Sequence, residues 1–175
     1  MSQQLEPTMI EFFEYNHWAN KELMGICINI SDEIITADIP GAYGSIIDTF
    51  THILKAEISF LKRIHGAYPE PDFMWEEKPS LSQMMAYETV LNDALVDTLQ
   101  RVPANQNIRE VGKGWIFDYQ ARLIFMSVVY HGIAHRTDIT TVLNKKGVIL
   151  PELDVWGYAS AYPERFQARM VKTGQ

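Results

Sequence analysis

At 175 residues, with 47% hydrophobic and 21% charged side chains, the chain has the size and composition of one soluble globular domain, taken here as residues 1–175 with a core of its own. A formal net charge of −7 and the lack of any Lys/Arg stripe exclude an electrostatic grip on nucleic acid. No apolar run approaches the roughly 20 residues that span a bilayer, the opening M-S-Q-Q-L-E-P-T lacks a secretion signal, and a single cysteine, Cys27, excludes an internal disulfide and a thiolate-rich metal site; the expectation is a cytoplasmic protein with no membrane partner.

The first predicted helix runs from about Leu5 to Ile30, with Met9, Phe12, Phe13, Leu23, Cys27 and Ile30 at the spacing of one face. Asn16 and Asn20 fall on that same face, where burial would oblige them to find hydrogen-bond partners. Trp18 projects to the opposite side, among Glu11, Glu14, Lys21 and Glu22, which calls for a second packing surface supplied by the chain's own tail or by a partner subunit. Residues 31–44 read as loop by their Pro and Gly. A second helix is predicted from Ser45 to His65, stopped by Gly66, and the prolines of A-Y-P-E-P-D-F-M-W-E-E-K-P forbid its continuation. Ser80 is the expected N-cap of a third helix that reaches Val102 and ends before Pro103. Residues 104–118, containing G-K-G-W, form either a short hairpin or an irregular crossing. The fourth helix is expected from Tyr119 to Lys146, closed by K-K-G. The tail P-E-L-D-V-W-G-Y-A-S-A-Y-P-E-R-F is too apolar for solvent and is expected to pack on the rest. Four amphipathic helices in one domain predict an all-α four-helix bundle.

The stretch V-V-Y-H-G-I-A-H-R-T-D-I carries the chemistry. Ile124, Val128, His131, His135, Ile139 and Val142 lie three or four residues apart and share one stripe, so both histidines are placed in the middle of the apolar face. Two adjacent imidazoles there are either hydrogen-bonded core residues or ligands of a divalent ion, because rings at i and i+4 leave the same face one turn apart. In a bundle further ligands come from facing helices. His52, in D-T-F-T-H-I-L-K-A-E, is the third candidate. It falls beside Thr49, Ala56 and Ser59 at the small-residue margin of the second helix's apolar arc, a position that suits a cavity wall or ordinary surface. Glu57, nearer the arc's centre, is a candidate general base or orienting carboxylate, or one half of a buried salt bridge to Arg136. His17 lies off the first helix's stripe and His65 sits at a helix end; neither is expected to be a ligand.

Taken in order, Y-N-H-W-A-N, H-I-L-K-A-E and H-G-I-A-H-R-T-D resemble the DinB/YfiT-like family of metal-associated four-helix bundles over nearly the whole chain. The resemblance implies a homodimer and one divalent ion (zinc, nickel or iron) held by His52, His131 and His135. It also implies an unknown small-molecule substrate, with hydrolase or thiol-dependent transferase chemistry. The family name refers to DNA-damage-inducible expression, which is not a chemistry. Glutamine often stands three residues after the second histidine of the pair, where this chain has Asp138. That carboxylate is a further ligand, an outer partner orienting an imidazole in catalysis, or a surface residue. The alternative class is a metal-binding or stress-response bundle acting by protein or ligand binding without turnover.

Two neighbouring motifs fail on chemistry. E-Y-N-H has the Glu-x-x-His form of di-iron bundles, but the second copy that such a site needs is missing. H-G-I-A-H has zinc-protease histidine spacing, yet Gly132 replaces the glutamate that would serve as base.

Overall fold

Local end signals set most element boundaries in the computed structural model, which describes residues 7–38 and 43–167. Helix α1 covers Pro7–Cys27; Leu5, where the expected helix begins, lies outside the described residues. It stops three residues short of Ile30, and a four-residue helix, α2 (Asp32–Ile35), occupies part of the stretch read as loop, pinned by the buried Ile35. Helix α3 (Ile46–His65) starts where Ser45 and Asp48 close a reciprocal capping box, and ends at Gly66, whose φ of 72° is left-handed. A second such box, Ser80 with Gln83, starts α4 (Leu81–Arg101), and Pro103 follows its end. In each box the side chains satisfy N–H groups that the helix itself leaves without partners.

Residues 107–120 correct the all-α expectation. They form an antiparallel hairpin, β1 (Asn107–Gly112) and β2 (Trp115–Gln120), turned through Lys113 and Gly114, the latter at φ 84°. Tyr119, predicted to open the last helix, is drawn into β2 instead: it pairs with Ile108 across the ladder and its hydroxyl donates to Glu110. Arg109 reaches Asp118 through Nε at 2.7 Å and Nη2 at 2.9 Å. Helix α5 therefore begins later than predicted and spans Arg122–Lys145.

The four long helices pack in a ring, with α1 against α4 and α5, and α3 against the same two. The tail forms α6 (Val155–Ala161), capped by Asp154, and α7 (Pro163–Phe166). Tyr158 is buried on the outer side of α1 with Tyr15 and Ala19, and Trp18 packs on this cluster with its ring 5.4 Å from that of Tyr158. The tail thus supplies the surface that Trp18 called for. Phe12, assigned to the core stripe, is instead 40% exposed and borders the groove between α1 and the tail, beside Val155, Tyr158 and Phe166.

At the centre of the ring the core is polar. Arg136 of α5 is buried, as are Asn16 and Asn20 of α1, Glu57 of α3 and Glu88 of α4. Arg136 Nη1 donates to Oδ1 of Asn16 at 2.7 Å and to Oδ1 of Asn20 at 2.6 Å. Each amide then passes the interaction on: Asn16 Nδ2 donates to Glu57 Oε1 at 3.2 Å and Asn20 Nδ2 to Glu88 Oε1 at 3.1 Å. His17 Nδ1 closes on the second oxygen of Glu88. The network fills the role foreseen for the two asparagines, and the Glu57–Arg136 link runs through an amide. Gly132 makes it possible, because a Cβ there would overlap Asn16 Oδ1 and lie 2.7 Å from Arg136 Nη1. Burial, then repulsion from Glu88, pushes the Glu57 carboxyl well above its ordinary 4.5, against the pull of Arg136 and the Asn16 bond.

Two outcomes follow for stability. Replacing a mid-helix glycine by alanine ordinarily stabilises a helix by about 1 kcal/mol, but Gly132→Ala is expected to destabilise by about 1–3 kcal/mol through overpacking; a denaturant titration giving equal or greater stability would contradict the network's geometry. For Glu57 the folded state holds a proton that the unfolded chain releases near 4.5, so its contribution is complete below that value and is lost as pH rises through the raised folded value. Glu57→Gln, which keeps an acceptor for Asn16 but cannot ionise, should therefore gain on the wild type in thermal unfolding as pH rises from 5 to 8. A gap that narrows in that direction would reverse the assignment.

Candidate metal centre

Because α3 packs on α5, the margin of α3 carrying His52 faces the histidines of α5. His52, His131 and His135 offer ligand nitrogens that all lie within 4.8 Å of one another, with Nε2 of His52 3.0 Å from Nε2 of His131. The ring centroids are 4.8 Å apart for His52 and His131, 4.7 Å for His52 and His135, and 4.5 Å for the pair on α5. Phe60 meets His131 edge-on from α3. His52 therefore stands beside the α5 pair and not on open surface.

The place of the pair on α5 differs from the helical-wheel expectation. Both histidines are half-buried; the buried line through this part of the helix runs one residue further on, through Gly132 and Arg136. The imidazoles flank the core on the α3 side. Arg136 was weighed only as the partner of a buried salt bridge to Glu57, and a glycine carries no hydropathy signal of its own, so the helical wheel centred the face on the histidines.

The electrostatics suit a cation held by neutral nitrogens. Burial, followed by the neighbouring His135 and His52, lowers His131 to about 4, and burial with His135 lowers His52. Both rings therefore favour the neutral form that a metal ligand needs, whereas a second proton on either would sit partly desolvated beside the others. Nδ1 of His135 is buried without a hydrogen bond and has Asp138 Oδ2 as a neighbour at 3.4 Å. Among the described residues the cluster comprises the three histidines and does not include Asp138. Donor type, mutual reach and depressed basicity all fit one divalent ion.

The remaining candidates lie elsewhere. The Glu57 carboxyl group accepts from Asn16 in the central network, and His17 belongs to Glu88. His65 meets Thr98 Oγ1 at 2.9 Å through Nε2. Cys27 is buried in the core and its thiol is pushed up to about 12, which leaves it neither ligand nor nucleophile. Tyr43 was missed: its ring stacks on His52, with centroids 3.7 Å apart and planes 21° from parallel. No periodicity could have flagged it, since it stands in a turn and not on a helix face.

No curated protein matches the chain. The sequence profile of the DinB family matches residues 1–168. With His52, His131 and His135 gathered into one cluster inside a match of nearly full length, the chain belongs to the DinB family.

Proposed function

We propose that this DinB-family chain is a metal-dependent enzyme of the hydrolase or thiol-dependent transferase type, built on a four-helix bundle and acting on a small molecule at a three-histidine centre. The observation that carries the reading is the convergence of His52, His131 and His135 from two helices to within 4.8 Å. Three imidazoles suit zinc, nickel or iron and leave coordination positions for a substrate, unlike the closed four-ligand set of a structural site. A bound divalent ion supplies Lewis acidity, which serves hydrolysis and thiolate transfer alike.

The chain's own residues supply positioning. His131 and His135 are held one turn apart by α5, whose rotation is set by Arg136 reaching inward to Asn16 and Asn20. Asp138, beside Nδ1 of His135, orients that ring and leaves Nε2 as its free donor. Glu57, tied to Asn16, acts on the centre through the packing of α3 and α5 and not by proton transfer. The half-buried cluster retains a side open to solvent, which favours turnover over a sealed structural ion.

Metal analysis of protein purified without an affinity tag should give one ion per chain, lost in His52→Ala and in His131→Ala with the helical content retained. Protein that carries no metal and gains no stability from added zinc, nickel or iron would end the reading. Turnover assays of the metal-loaded protein distinguish the two chemistries, since cleavage of an ester or amide without added thiol is expected for the hydrolase type and strict dependence on a thiol for the transferase type. Asp138→Asn should weaken metal affinity about 10- to 100-fold at unchanged stoichiometry, the range for loss of an orienting partner. Unchanged affinity would return Asp138 to the surface.

A further inference from the structure

We propose that Tyr43 is a positioning residue of the centre, its ring fixing the plane of His52 so that this imidazole meets the other two. The role rests on the metal-binding reading above. His52 is the least constrained of the three: it comes from the margin of α3, and no hydrogen bond other than that with His131 Nε2 orients its ring among the described residues. Rotation about its two side-chain torsions would swing the ring away from α5. His135 meets one side of it edge-on, at 4.7 Å and 87°. The stacking partner is Tyr43, at 3.7 Å and 21°, which also approaches His135 edge-on at 5.8 Å. The Tyr43 ring therefore spans from one ligand toward another, across the gap between α3 and α5.

Tyr43 is itself held by the start of α3. Gly44 takes φ 88°, and it is packed so closely on the first turn that a Cβ would lie 3.2 Å from Asp48 Oδ2. Ser45 Oγ donates to that same oxygen at 2.6 Å, and the Ser45 N–H does so at 3.2 Å. A capping box thus anchors the backbone immediately after Tyr43, and the side chain lies back along the helix onto a residue two turns from the cap. Tyr43 remains 51% exposed, so burial in the core does not explain its placement. The stack does, and stacking needs the ring and not the hydroxyl.

The test is cobalt(II) titration of metal-free wild type, Tyr43→Phe and Tyr43→Ala, followed by visible absorption. Removing an aromatic stack should weaken cobalt binding by about three- to tenfold in Tyr43→Ala, with one ion still bound per chain, while Tyr43→Phe stays within about twofold of wild type. In the metal-free proteins, the His52 ring protons should show the upfield ring-current shift in wild type and Tyr43→Phe and lose it in Tyr43→Ala. Wild-type affinity in Tyr43→Ala overturns the role while the metal reading stands. Equal losses in both variants also overturn it, by assigning the effect to the hydroxyl. A wild type that takes up no cobalt sinks the metal reading and this role with it.

Discussion

The guanidinium of Arg136 is a full positive charge enclosed by four helices, and the placement of His131 and His135 depends on how it is accommodated. A buried cation without partners is prohibitively costly, so α5 must turn the Arg136 side chain toward acceptors. Those acceptors are the amide oxygens of α1, whose N–H groups in turn engage carboxylates from α3 and α4. One side chain therefore ties together all four long helices. Removing a single member leaves another buried polar group unpaired, and such networks specify one arrangement more strongly than apolar packing does.

That constraint sets the face of α5 presented to α3. With Arg136 directed at α1, His135 is turned about 100° away on a helix of 3.6 residues per turn, toward α3 and His52. His131 follows one turn earlier. The glycine between the histidines serves the same end, since any side chain at Gly132 would collide with the Asn16–Arg136 bond. The residue that rules out a zinc-protease mechanism is thus the one that lets the polar core close beneath the imidazoles.

The cluster and the network are chemically complementary although they share only helices. The network holds its charge in the middle of the ring through hydrogen-bonded relays. The imidazoles lie at the edge of the core, where partial burial lowers the basicity of His52 and His131. Histidines at that depth combine rigid support from the helices with partial exposure at the surface.

Much was legible in the sequence because it is local. Capping residues at Ser45 and Ser80, the stop at Gly66 and the i, i+4 histidines each depend on neighbours within a turn of chain, so composition and spacing reveal them. Partnership across the structure was not legible. Whether His52 faced a cavity or solvent, and that Arg136 rather than the histidines lies at the centre of the buried face, depended on how α3 and α5 pack. The stacking of Tyr43 on His52 depended on where a turn folds back over its own helix. Hydropathy assigns a charged residue to the surface, and only the convergence of partners from other helices reverses that assignment. The amino-acid order thus determined the helices and the pair of imidazoles; the tertiary structure decided what they face, because pairing energy between groups distant in sequence exists only once the chain has closed around them.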